Sequence, residues 1–168
     1  MISSLKKSLE STFKGVAVKE PEDGSISVLA PKDSLPVVIR YLKDNGLHHL
    51  ALLSCLDWPE RGKFEVVYVL SCYMPSNTDY APDQRLHVFV KTEVPREHPA
   101  LQSVIDVFEN AEPYEREIHE LFGVHFAGHP RLTPLFLERH YEIPPFRKDF
   151  DTRQYVAETF DPIPPVDE

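Results

Sequence analysis

His119 and Glu120 stand side by side, which is how the HExxH helix of a zinc hydrolase begins: two histidines one turn apart hold the metal around a glutamate base. Here the next histidine, His125, comes six residues later and beyond Gly123, so the motif is not completed. His125 and His129 are four apart, but Gly128 and Pro130 oppose a helix between them. Solvated or hydrogen-bonded loop histidines are the expected reading. The two cysteines, Cys55 and Cys72, are too few for a four-cysteine zinc site or a disulfide framework. They fall in neighbouring strand candidates, where buried thiols act as small hydrophobes. No GxSxG, GxGxxG or GxxxxGK[ST] is present, and six glycines cannot build a glycine-rich phosphate cradle. No cofactor is expected.

Charge gathers in two places. In Glu115-Arg116-Glu117 with Glu120, a helix would set Arg116 against Glu120 at i+4 and Glu112 at i−4. Tyr114, Ile118, Leu121 and Phe122 would then take the apolar side. A solvated ion-pair ladder accounts for this pattern; acid/base chemistry would also need a cleft, and no cleft-forming feature accompanies it. The second cluster, Arg147-Lys148-Asp149, lies between Pro144-Pro145-Phe146 and Phe150. Charges set among aromatics on a proline-restricted segment suit docking against a surface of mixed charge.

The elements that must position these residues follow from periodicity. The 168 residues are 42% hydrophobic and 27% charged, enough for one core that buries roughly 70% of the unfolded surface. A net charge of −9 argues against a general nucleic-acid or anionic-membrane binder. No run reaches the ~20 apolar residues of a membrane span. The opening MISSLKKSLESTF lacks the apolar stretch of a secretory signal and, with no arginine and with Glu10, differs from a transit peptide; the cytoplasm is the expected compartment.

Residues 2–13 predict an amphipathic helix through Ile2, Leu5, Leu9 and Phe13, and 16–18 and 26–29 predict short strands around a turn at 21–24. A helix over 33–44 is expected, with Asp33 or Ser34 as its cap, Pro36 in the first turn and an Asn45-Gly46 stop. Residues 48–56, 63–73 and 85–94 read as strands, the last two alternating and joined by a long surface loop. Leu101, Val104, Ile105, Phe108 and Ala111 predict a helix that Pro113 bends or stops, followed by a second helical piece from Tyr114 to Phe122 closed by Gly123. Five prolines in the last 27 residues exclude regular helix or central strand there. Yet Phe146, Phe150, Tyr155, Val156 and Phe160 make this an anchored arm rather than a solvated tail. The expected fold is α+β: a small mixed or antiparallel sheet over 16–94, packed by helices near 33–44 and 101–122. The expected division is an α+β domain at 1–123 and an extended, Pro-rich C-terminal docking arm at 124–168.

The stretch from Glu115 to Phe150, EREIHELFGVHFAGHPRLTPLFLERHYEIPPFRKDF, covers about a fifth of the chain. It resembles the 30-kDa subunit family of respiratory complex I and its bacterial counterparts, together with the related subunit of membrane-bound nickel–iron hydrogenases and ferredoxin-linked complexes. The resemblance rests on Glu115, Arg116, Glu117, Glu120, Leu121, Phe122 and Gly123, on Gly128, His129 and Pro130, and on Pro145, Arg147, Lys148, Asp149 and Phe150. Pro113 where an aromatic is common, Glu120 in place of Asp, and Pro144 in place of a frequent His are departures. They weaken assignment to the ordinary NADH-linked enzyme and leave a hydrogenase-type or ferredoxin-linked complex open. What the resemblance implies is a non-catalytic subunit without a cofactor, peripheral on the cytoplasmic side of the cell membrane and attached only through partners. It would hold the large catalytic subunit that lies over a quinone or nickel–iron site, beside iron–sulfur subunits. The implied interface residues are Glu115, Arg116, Glu117, Glu120, Phe122, Gly123, His129, Pro130, Arg147, Lys148, Asp149 and Phe150. The alternatives are a free-standing metal-dependent enzyme using the carboxylates with His119 or His129, and an acidic interaction module unrelated to electron transfer.

Overall fold

The computed structural model describes residues 2–19, 26–74, 84–139 and 141–160. The expected turn at 21–24, most of the 74–84 loop and the last three prolines lie outside these residues. In chain order the elements are α1 (Ile2–Thr12), β1 (Ala17–Lys19), β2 (Ile26–Leu29), α2 (Leu35–Asp44), β3 (His49–Trp58), β4 (Lys63–Met74), β5 (Gln84–Pro95), β6 (Ala100–Gln102), α3 (Ala111–Phe122), β7 (His125–Ala127) and α4 (Thr152–Thr159). The fold is α+β, as expected from the sequence.

Five strands form a mixed sheet in the order β1-β2-β5-β4-β3, with only β2 and β5 parallel. Cross-strand rows such as Leu53–Tyr68–Val90–Val28 point to the core, and all four side chains are buried. The stripe Leu35, Val38, Ile39 and Leu42 of α2 joins the same apolar cluster. β3 does not alternate simply because its register shifts between Leu50 and Leu52. The extra residue lets Leu50 and Leu53, three apart, both face inward. At that irregularity the β3 edge is covered by α3: Asn110 Nδ2 donates to the Leu50 carbonyl at 2.9 Å and the Tyr114 hydroxyl to that of Ala51 at 3.4 Å.

Three expectations need correction. The helix expected over 101–111 is absent. Ala100–Gln102 instead form β6, parallel to β7, and turns lead into α3 at Ala111. The helix-like spacing of Leu101, Val104 and Phe108 is met by a strand followed by a turn, all three packing into the core. Pro113 neither bends nor stops the helix. It sits in the first turn of α3, where a backbone N–H has no partner within the helix anyway. The exclusion of helix from the C-terminal segment also fails over Thr152–Thr159. Pro145 precedes α4 without entering it, and Asp151 caps it by accepting from the Arg153 and Gln154 amides at 2.9 and 3.0 Å.

Candidate partner-docking face

α3 ends at Gly123, whose φ of 80° is the left-handed turn that favours glycine. A β-carbon there would also lie 3.1 Å from Pro144 Cγ, so glycine is needed twice: for the turn and for the close approach of the returning chain. Just beyond Pro144 a backbone bond seals the contact, Phe146 N donating to the Leu121 carbonyl at 3.0 Å.

The charged residues of α3 act mostly within the chain. Glu115 is fully buried. Its carboxylate accepts from Ser103 Oγ at 2.6 Å and from the Val104 amide at 2.8 Å. Burial pushes its pKa up, against the opposing pull of those two bonds and of nearby His129. Arg116 donates to the carbonyls of Thr133 and Pro134 at 3.1 and 2.9 Å and pairs with Glu112. Glu120 accepts from three successive amides, those of Leu135, Phe136 and Leu137, at 2.7–3.1 Å. Together Arg116 and Glu120 tie residues 133–137 to the helix. His129 accepts from the Arg131 amide at Nδ1, which leaves Nε2 to donate to the Glu112 carbonyl at 3.2 Å. Glu117 is half-buried without a hydrogen bond or ion pair among the described residues, and Pro130 is exposed.

The Arg147–Phe150 segment is held by residues from much earlier in the sequence. Asp57, the penultimate residue of β3, is buried and takes both Arg96 Nε at 2.7 Å and Nη2 at 3.0 Å. It also accepts from the Lys148 amide at 2.8 Å. Arg96 Nη2 reaches on to Asp149 at 2.9 Å, and Asp149 in turn receives Arg147. The two guanidinium groups each lie 5.6 Å from the centroid of the buried Phe64 ring, and Phe122 bridges Phe64 to Phe146 through edge contacts at 6.1 and 5.9 Å. The hydrogen bond to Asp57, with the charges of Asp57 and Asp149, raises the Arg96 pKa further against burial. At Asp149 partial burial works upward, but Arg147 and then Arg96 outweigh it and the carboxyl sits below its usual range. Nearby, burial and the Asp57 charge push the Cys55 thiol up to about 12, so it stays protonated and inert.

The structure therefore gathers Phe122, Gly123, Arg147, Asp149 and the Lys148 backbone at one end of the sheet, with Arg116 and Glu120 beside them. Glu115 is removed from the surface, and the Lys148 ammonium lies over Trp58, 5.5 Å from its ring. Sequence reasoning missed Asp57, Arg96 and Phe64. The available signal was register: Asp57 and Arg96 fall at strand ends on the same side of the sheet, and Phe64 pairs with both Asp57 and Val94. Outward from this platform the segment presents Phe136, Ile143, Phe146, Val156 and Phe160, between 41% and 66% exposed. Among the described residues no group of three or more His, Cys, Asp or Glu could hold a metal ion.

A body that pins its own terminal segment and turns that segment's apolar side chains outward has the build of one component of a larger assembly. Residues 28–156 match the family described as respiratory-chain NADH dehydrogenase, 30 kDa subunit, and the chain belongs to that family. It is one subunit of a complex I-like respiratory complex. A subunit of the F(420)H(2) dehydrogenase of Methanosarcina mazei is 35% identical over 128 residues, 75% of either chain. Among solved structures, a chain of the membrane-bound sulfane sulfur reductase, an archaeal respiratory membrane complex, superposes with a TM-score of 0.80 at 27% identity, covering 99% of this chain and 95% of that one. The trypsin-resistant fragment of Nqo5 gives a TM-score of 0.63 at 30% identity, covering 78% of this chain and 98% of the fragment.

Proposed function

We propose that this chain is a non-catalytic scaffold of the peripheral part of a membrane-associated oxidoreductase. It holds the large catalytic subunit beside the iron–sulfur subunits of the same complex, on the cytoplasmic side of the membrane. The observation that carries the proposal is the row of exposed apolar side chains at 136–160, mounted on a rigid ion-pair and aromatic platform. Exposed aromatics in a fixed setting are what partner pockets receive, and a pre-ordered segment loses little entropy on binding. The likeness over 99% of the sequence to a chain from a membrane complex supports the same reading. In this division of labour Arg116, Glu120, Gly123, Arg147 and Asp149 position the segment, and Phe136, Phe146, Lys148 and Phe150 face the partner. No helix among the described residues is long and apolar enough to cross a membrane. In this reading attachment runs through partner subunits.

The test is co-purification with the large subunit after paired substitution, Phe136→Ser with Phe146→Ser. Both side chains are exposed, so the isolated chain should fold as before while complex recovery falls at least about tenfold, as for loss of aromatic hot spots. Full recovery would remove this face from the interface.

A further inference from the structure

β7 ends at Ala127, and the stretch that Arg116 and Glu120 hold begins at Thr133. Little fixes the chain between them. Leu132 packs partly on the core, and the Arg131 guanidinium reaches Glu112 at 3.6 Å. Among the described residues the backbone of 130–132 makes one hydrogen bond, from the Arg131 amide to His129 Nδ1 at 3.0 Å. The other ring nitrogen, Nε2, meets the Glu112 carbonyl of α3 at 3.2 Å. A backbone amide only donates and a carbonyl only accepts, so this arrangement requires the neutral ring with its proton on Nε2.

His129 differs in this from the other histidines. His119 turns Nδ1 to the Val124 carbonyl at 2.9 Å, where it donates in either charge state. Among the described residues no other histidine accepts a hydrogen bond. The charged groups around His129 are Glu112, Glu115 and, through Glu112, Arg116 on α3, with Arg131 on its own segment. The Glu112 carboxylate is already shared by the two arginines, and that of Glu115 is taken by Ser103 and the Val104 amide. Attraction between Glu115 and a charged His129 therefore favours proton uptake without offering Nδ1 a new bond. The ring is half-buried, so a proton from solvent reaches it.

We infer that His129 is a proton-sensitive clasp. Neutral, it joins the turn at Arg131 to α3. On taking up a proton at Nδ1 it sets one N–H against another, and the turn opens where the chain leads to Phe136. Histidine is the side chain whose charge changes between roughly pH 5 and 8, so mild acid is the signal. The direction is opposite to that of Glu115, whose buried carboxyl is relieved by acid. The inference concerns this chain by itself and goes beyond the scaffold reading.

The test is an NMR titration of the full chain from about pH 8 to about pH 5, following the ring nitrogens of His129 and the solvent exchange of the Arg131 amide, corrected for its intrinsic pH dependence. At the alkaline end the ring should carry its proton on Nε2. As it takes up the second proton, the Arg131 amide should lose about fivefold in protection, the worth of one ordinary hydrogen bond. His129→Asn supplies a side-chain oxygen that accepts from the amide two residues on and does not titrate, so protection should be flat across the series. Arg131 exchange that ignores the ring titration in wild type overturns the inference, as does a ring protonated on Nδ1 at the alkaline end. A pH-dependent loss that persists in the Asn variant also overturns it, by assigning the effect to Glu112 or Glu115. No arm of the test involves the large subunit, so the scaffold reading stands or falls separately.

Discussion

Arg96 grips Asp57 with two parallel bonds, at 2.7 and 3.0 Å, and the nitrogen that makes the second also reaches Asp149 at 2.9 Å. Asp57 lies at the end of β3 and Asp149 belongs to the terminal segment, so one guanidinium joins the sheet to that segment. The Asp57 side chain is only 1% exposed and that of Arg96 15%, so neither group can fall back on full hydration if its partner is lost.

Removing either partner of this buried pair is therefore expected to be costly. Arg96→Ala leaves Asp57 buried and uncompensated and should destabilise the chain by roughly 3–5 kcal/mol. It should also release the segment, which limited trypsin digestion reads as faster cleavage after Arg147 and Lys148. A variant with unchanged urea midpoint and cleavage rate would mean that the pair does not hold the segment.

Glu115 makes stability depend on pH in a stated direction. Its folded pKa is raised above the ordinary value of 4.5 by burial. Below 4.5 both states hold the proton and no penalty arises; as pH climbs from there through the raised value, the unfolded chain ionises first and stability falls. Glu115→Gln, which keeps an acceptor for Ser103 or Val104, should flatten that fall in urea midpoints taken across pH. Glu115→Ala should instead lose about 1–3 kcal/mol throughout, through unpaired buried donors. Identical pH profiles for wild type and the Gln variant would contradict this account.

Glu120 should act locally. Its carboxylate is the acceptor for three consecutive amides, so Glu120→Ala should lower hydrogen-exchange protection at Leu135, Phe136 and Leu137 by the loss of about 1.5–3 kcal/mol per charged bond at most. The strands of the sheet should keep their protection. Uniform loss across the whole chain would point to a global rather than a local role.

Gly123→Ala combines a left-handed φ of 80° with a 3.1 Å contact to Pro144. The backbone cost alone is roughly 1–2 kcal/mol. Because Pro144 must also give way, the variant should lower both the melting temperature and the yield of complex. A melting temperature equal to wild type would show that the close approach at Pro144 is relaxed in solution.

How far the sequence reveals all this differs between elements. β4 and β5 were legible because their residues alternate between the two faces of the sheet, and α2 because its apolar stripe, first-turn Pro36 and Asn45-Gly46 stop agree. The start of α3 was not, because Leu101, Val104 and Phe108 carry helical spacing but are bound by tertiary partners: β6 pairs with β7, and Glu115 takes the Ser103 hydroxyl and Val104 amide. α4 was hidden by the prolines around it. The charged face was half legible. Arg147 and Asp149 announce themselves among aromatics, whereas Asp57 lies 39 residues from Arg96 and 91 from Lys148, and only sheet register unites them. Glu115 shows the limit of reading charge as surface, since the helix turns that carboxylate inward.

The central claim, a scaffold docked on a large catalytic subunit, is tested most directly by native affinity purification from gently solubilised membranes, with mass spectrometry of what accompanies the chain. The account predicts recovery of a large catalytic subunit together with iron–sulfur and membrane subunits, and loss of that set in the Phe136→Ser, Phe146→Ser variant. A chain that emerges alone, or with soluble partners unconnected to electron transfer, would contradict it.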